Sequence, residues 1–334
     1  MKVAILSPVA WRTPPRHYGP WEQVASNIAE GIAQLGAEVT LFATGDSLTA
    51  GKLESICATG YEEDRTQDAK VLECLHISNL MEQATKFDII HNNFDFLPLT
   101  YTGLINTPMV TTIHGFSSER IIPVYKKYNA NNHYVSISNS DRSPELNYIA
   151  TVYNGLNADK FVYNEHPKDY LLCFSRIHPH KGTAEAIAIA KKTNQKLIIA
   201  GIVQDERYFK EQVEPHLDEQ IQYIGSAGPE KRNALLGGAI ALLHPISFDE
   251  PFGLSVAEAM LCGTPVIAFN RGSMPELISN GKTGFLVSNI DEAAEAVASL
   301  KNIRRANCRE WAESKFSSQK MAGDYLEVYK KILK

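Results

Sequence analysis

Residues 241–270 read ALLHPISFDEPFGLSVAEAMLCGTPVIAFN. ALLHPI is a short apolar run, too short to span a bilayer and right for a buried parallel strand. From Pro251 the apolar positions Leu254, Ala257 and Leu261 recur at helical spacing, so a helix starts near the EPFG turn. CGTP ends it, and VIAF is the next strand. Glu250 stands at the helix entrance and Glu258 just over two turns along, roughly 12 Å away at 1.5 Å per residue. That distance rules out a shared proton and suits two ends of one elongated ligand. The amides of Phe252, Gly253 and Leu254 lie at a helix N-terminus, where unpaired N–H groups and the macrodipole favour an anion. By itself an E-x7-E pattern is more often a helix-entry charge and a solvated helix residue.

The 334 residues exceed one usual core and indicate two domains of ordinary size. With 44% hydrophobic and 21% charged residues the chain is soluble and globular. The net charge of −5 lies entirely in residues 1–160, which hold 12 Lys and Arg against 17 Asp and Glu; the remainder is balanced, 21 against 21. No basic face is implied, which argues against a nucleic-acid partner. Five scattered cysteines without C-x-x-C spacing read as reduced thiols rather than a zinc site. MKVAILSPVA is a first strand, not a signal peptide, and no 18-residue apolar run exists, so a cytoplasmic location is expected. Weak peripheral membrane contact through the first half stays open, although its acidity argues against a polybasic docking surface.

KVAILS opens the chain as a strand. A loop rich in Pro, Arg and aromatics follows, then a helix from Trp21 to Gly36 with Val24, Ile28, Ile32 and Leu35 on one face. AEVTLFAT is the second strand. A βαβ start implies a doubly wound sheet with ligands at the carboxyl ends of its strands, which puts loop 10–22 on the ligand side. Glu22, at the helix start, could simply favour the dipole. FDIIHNN and TPMVTTIHGF are strands ending at His91 and at His114. A histidine in such a position is often a buried scaffold residue, but here it falls where the sheet presents its ligand site, and substrate contact is expected of His114, with weaker support for His91. HYVSISNSDR and YIATVYNGLNADKF add two strand-plus-loop units.

In the second half YLLCFSRI is a strand, HPHKGT a turn and AEAIAIAKKT a helix. Arg176 and Lys181 flank the turn with the helix start behind them, an anion site suited to a diphosphate. KLIIAGIV and IQYIGSAGPE are further strands, followed by the opening element, MPELISNGKTGFLV and the helix DEAAEAVASL. A final helix, roughly AGDYLEVYKKIL, is free to pack elsewhere.

Two βα domains, R-x4-K-G, E-P-F-G-x4-E and P-E-L-I-x2-G-x2-G-x-L-V, in this order, together resemble the GT-B retaining glycosyltransferases of family 4, over essentially the whole chain. The resemblance implies an α/β fold of two doubly wound Rossmann-like domains facing across a cleft. They would comprise an acceptor-side domain over 1–160, a nucleotide-sugar domain over 161–312, and a helix over 313–334 crossing back to the first. It implies that Arg176 and Lys181 neutralise a diphosphate, Glu258 binds ribose and Glu250 binds donor-sugar hydroxyls. Phe252, Gly253 and Leu254 would line sugar and phosphate, Ile224 and Gly225 the base, and His114 would stand beside the donor sugar. Where many members have Gly-Gly-x-Glu, this chain has Gly19-Pro20-Trp21-Glu22. Proline removes a donor and fixes φ, leaving Gly19 as the point of backbone approach. Tyr18, Trp21 and Glu22 fall on the acceptor side, and the aromatics Trp11, Phe94 and Phe96 could stack on a sugar or a flat heterocycle.

The reaction expected is transfer of a hexose, foremost glucose from UDP-glucose, to a saccharide, lipid-linked or small-molecule acceptor in polysaccharide biosynthesis. GDP-mannose and pterin-like acceptors are alternatives. No D-x-D occurs, so no metal and no cofactor beyond the donor is expected. Two other classes are a nucleotide-sugar binding protein without turnover and an NAD-dependent oxidoreductase; against the latter, no G-x-G-x-x-G follows the first strand.

Overall fold

The computed structural model describes every residue except Tyr18 and Ser117. The chain forms two compact units: Met1–Gly155 with Ser318–Lys334, and Leu156–Ser317. The divisions fall at 155/156 and 317/318, not at 160/161 and 312/313, because residues 156–161 are bonded into the second unit. Leu156 N donates to Phe316 O (2.8 Å), and Arg309 Nη1 to Phe161 O (2.7 Å).

The first unit is built on a seven-stranded parallel sheet of β1 (Lys2–Leu6), β2 (Glu38–Phe42), β3 (Lys52–Glu54), β4 (Ile89–Asn92), β5 (Met109–Ile113), β6 (His133–Ser136) and β7 (Tyr148–Thr151). The order is β3-β2-β1-β4-β5-β6-β7. Val3 to Leu6 are buried without alternation, as a strand covered on both faces requires. The winding direction reverses between β1 and β4, and a doubly wound sheet takes its ligand outside the carboxyl ends of such a pair. Asn93 and the loop after it emerge there.

The helix Pro20–Gln34 starts with proline at its first turn and buries Val24, Ile28 and Ile32. Leu35, expected on the same face, is 50% exposed. The helix stops at Gln34 and Gly36, at φ +91°, turns the chain away before the face is complete. Gly31 lies against the C-terminal helix Ser318–Ile332, where an added Cβ would stand 2.8 Å from Ala322 Cβ. A buried polar chain also holds that helix: His91 Nδ1 to Tyr329 Oη (2.6 Å), His91 Nε2 to Thr112 Oγ1 (2.7 Å) and Thr112 Oγ1 to Tyr325 Oη (2.8 Å). His91 is therefore a saturated scaffold residue rather than a ligand contact.

The second unit has a six-stranded parallel sheet of β8 (Leu171–Phe174), β9 (Leu197–Ala200), β10 (Ile221–Tyr223), β11 (Ala241–His244), β12 (Val266–Phe269) and β13 (Gly284–Val287), ordered β10-β9-β8-β11-β12-β13. Its core joins Leu171, Ile199, Leu243 and Ile267. Direction reverses between β8 and β11, so the loops after those strands, 175–182 and 245–253, emerge side by side. The helix Arg305–Phe316 was not anticipated: it buries only Cys308, Ala312 and Phe316. Its Arg305 donates to the carbonyls of Asn164, Gly237 and Ala239 (2.6, 2.7 and 2.9 Å).

Candidate functional site

In the second unit the turn carrying Lys181 is pressed against the end of β11. Gly182 has φ +72°, and a Cβ there would stand 2.0 Å from Pro245 O, so only glycine fits. Ser247 N donates to His180 O (3.0 Å), tying the two loops together. Lys181 Nζ sits 4.6 Å from the Phe248 ring centroid and forms an ion pair with Glu250 Oε2, both side chains largely buried. His244, at the end of β11, places Nε2 3.7 Å from the same oxygen. Burial pushes the Glu250 carboxyl upward, but His244 and Lys181 outweigh it and hold it at about 2.

Glu250 leads into the helix Leu254–Leu261, whose N-cap Gly253 is left-handed (φ +91°) and supplies no side-chain cap. The mouth of this helix keeps the partial positive charge of its first amides. Ser273 fixes the approach, its N–H donating to Glu250 O (3.0 Å) and its hydroxyl to Phe252 O (2.6 Å). The Phe252 side chain is buried edge-on against Phe316, so Phe252 belongs to the core.

Several predicted partners are engaged differently from expectation. Lys181 and Arg176 do not jointly face the turn: Lys181 neutralises buried Glu250, while Arg176 Nη1 donates to Gln204 Oε1 (2.7 Å). The helix start behind them is capped, because Ala184 N donates to Tyr208 Oη (2.9 Å). Glu258 is no solvated helix residue; it is 8% exposed and paired with Arg232 Nη1 at 2.9 Å. Burial raises its pKa, and Arg232 offsets part of the rise. Ile224 N is used by Ile199 O (3.0 Å), whereas the space beside Gly225 (φ +71°) is open.

In the first unit Gly19 has φ +148°, and a Cβ there would meet Glu22 Oε2 at 2.9 Å and Pro15 Cβ at 3.0 Å. The glycine is thus required by the chain's own packing against Glu22. Glu22 is 3% exposed, and burial pushes its carboxyl up to about 7 against hydrogen bonds from the Glu22 and Trp11 backbone. Trp21 stacks on His114 at 6.0 Å with 28° between the rings, and His114 Nε2 lies 3.0 Å from Asn93 Oδ1. Phe94 is buried in the core, which removes it from the stacking aromatics, and Tyr18 lies outside the described residues.

Sequence reasoning passed over His244, Asn93, Arg232, Ser273 and Asp95. His244 carried the same signal as His114, a polar residue ending an apolar strand. Asp95 has φ +84° and accepts from Tyr125 Oη, with burial pushing its carboxyl up to about 6. Among the described residues no group of three His, Cys, Asp or Glu side chains is placed to hold a metal ion, and no helix is long and apolar enough to cross a membrane.

Residues 157–315 match the sequence model of the family described as "Glycosyl transferases group 1". An uncharacterized 41.2 kDa protein in the cps region of Klebsiella pneumoniae is 30% identical over 220 residues, covering 60% of each chain. The D-inositol 3-phosphate glycosyltransferase of Corynebacterium efficiens is 32% identical over 139 residues, 37% of this chain and 32% of that one. The chain thus spans less than two thirds of the length of these curated relatives. The structure of Anabaena HepE in complex with UDP and glucose superposes with a TM-score of 0.75 at 19% identity, covering 99% of both chains. Residues 157–315 therefore belong to the group 1 glycosyltransferases, in a chain with the GT-B fold.

Proposed function

We propose that this chain is a retaining, metal-independent hexosyltransferase that moves glucose from UDP-glucose to a saccharide or glycoconjugate acceptor in polysaccharide biosynthesis, acting in the cytoplasm. The assignment is carried by the Lys181–Glu250 pair beside the helix mouth at Gly253, at the strand reversal of the second sheet. Departure of a nucleoside diphosphate builds charge on phosphate oxygen. Lys181 and the first amides of the helix Leu254–Leu261 supply preorganised positive charge for such a leaving group, and Arg176 joins them by turning from Gln204 to the phosphate. Glu250, held ionised, accepts hydrogen bonds from sugar hydroxyls, and Glu258 does the same for ribose. The departing phosphate takes the acceptor's proton in a front-side attack, which preserves configuration. His114, Trp21 and Glu22 of the first unit serve the saccharide. HepE, solved with UDP and glucose, supports the donor choice.

Purified protein incubated with UDP-glucose, UDP-galactose or GDP-mannose and a saccharide panel tests this. Transfer from UDP-glucose with an axial anomeric product, undiminished by EDTA, is expected. Loss of turnover in EDTA that manganese restores refutes metal independence, an inverted product refutes retention, and exclusive use of GDP-mannose reassigns the donor.

A further inference from the structure

Asn93 follows β4 and His114 follows β5, adjacent strands of the first sheet. The His114 Nε2 to Asn93 Oδ1 distance is 3.0 Å. An amide oxygen only accepts, so this bond places the imidazole proton on Nε2 and leaves Nδ1 with a bare lone pair. Nδ1 is buried and has no hydrogen-bond partner among the described residues. The amide nitrogen of fully buried Asn93 has none either. Buried polar atoms without partners are rare because each forfeits its hydration, and a pair of them asks for a ligand. One needs a donor and the other an acceptor, and hydroxyl groups provide both. The Trp21 ring fixes the imidazole plane from one side.

We propose that Asn93 is a positioning residue that holds His114 in its Nε2–H tautomer, so that Nδ1 accepts a hydrogen bond from a saccharide hydroxyl while the Asn93 amide donates to a sugar oxygen. The saccharide identity of the ligand rests on the function proposed above. Burial lowers the His114 pKa to about 3, and the titratable group its field reaches, His91, is likewise held neutral by burial. His114 is thus an uncharged acceptor across the working pH range.

Nitrogen-15 spectra of the full chain labelled at histidine, with His114 assigned by its absence in His114→Gln, read the tautomer without reference to activity. Protonation at Nε2 alone at pH 7 is expected; protonation at Nδ1 overturns the proposal. Asn93→Leu removes the acceptor and should lower kcat about 10- to 100-fold, with a smaller change in KM, the loss of one to two transition-state hydrogen bonds. Asn93→Asp keeps an acceptor facing Nε2 but has no amide to donate to the sugar, so the tautomer returns above neutral pH and kcat recovers in part. Its charge raises the His114 pKa, and activity then falls as pH drops through that new value. Equal losses in both folded variants with an unmoved pH profile would mean a structural role and sink the idea. Absence of transfer by the unmutated chain would instead refute the proposed function, while the tautomer measurement still decides the role of Asn93.

Discussion

Glu250→Gln separates the electrostatics of the candidate donor site from its packing. The Glu250 carboxyl is held at about 2 against an ordinary 4.5, burial pushing it up and His244 with Lys181 pulling it further down. A carboxylate depressed by folding contributes stability that is complete above its unfolded pKa and is lost as pH falls through its folded one. The gap between 4.5 and about 2, at about 1.36 kcal/mol per pH unit, corresponds to about 3 kcal/mol at neutral pH. Because both side chains are at most 14% exposed, solvent screening removes little of it. At pH 3 the native carboxylate is still mostly ionised, and about 2 kcal/mol of the contribution has been lost.

The assay is urea unfolding read from Trp311, the tryptophan of the second unit, in a chain carrying Trp11→Phe and Trp21→Phe. The Trp311 indole donates to Leu277 O at 2.7 Å, so its emission changes when that unit opens. Glutamine keeps the shape but leaves Lys181 facing a neutral partner, and removal of one member of a buried pair is destabilising by about 3–5 kcal/mol. The difference between wild type and Glu250→Gln should be greatest at pH 7 and narrow by about 2 kcal/mol by pH 3. In a Lys181→Met background the narrowing should shrink, since His244 alone is then left to depress the carboxyl. A wild-type-to-variant difference that stays constant from pH 7 to pH 3 would refute the assignment of Glu250 as the ionised, cation-held carboxylate.

Glu22 behaves in the opposite sense. Its folded pKa of about 7 exceeds the ordinary 4.5, so the native state holds a proton that the unfolded chain releases, and stability falls as pH rises between those values. Glu22→Gln should therefore leave stability near pH 4.5 little changed and raise it by about 3 kcal/mol at pH 8, read from unfolding of the first unit in buffers spanning that range. Tyr329→Phe leaves buried His91 Nδ1 without its 2.6 Å partner and should cost about 1–3 kcal/mol, seen as faster amide exchange along the C-terminal helix; unchanged exchange would deny the latch.

Three strand-terminal histidines mark how far the sequence reaches into this molecule. His91, His114 and His244 each close an apolar run, and local pattern treats them alike. The sheets are legible because Val3 to Leu6 or Leu171 to Cys173 are continuous apolar runs whose burial needs no distant information. The strand reversals then fix which loops face a ligand. What separates the histidines is contact order. Tyr329, 238 residues along the chain, saturates His91 and makes it scaffold, whereas His114 donates one bond to Asn93 and keeps a nitrogen without a partner among the described residues. His244 meets a carboxylate six positions on, and holds it ionised together with Lys181, 69 residues away from that carboxylate. Arg232 claims Glu258 in the same manner across 26 residues. The helix Arg305–Phe316 is hidden for a related reason: with only Cys308, Ala312 and Phe316 buried, its apolar stripe is too thin to read, and Arg305 holds it by three carbonyls from two other segments. Residue type and spacing therefore identify which side chains are available for chemistry, and the distant partner determines the charge and the free atoms each brings to it.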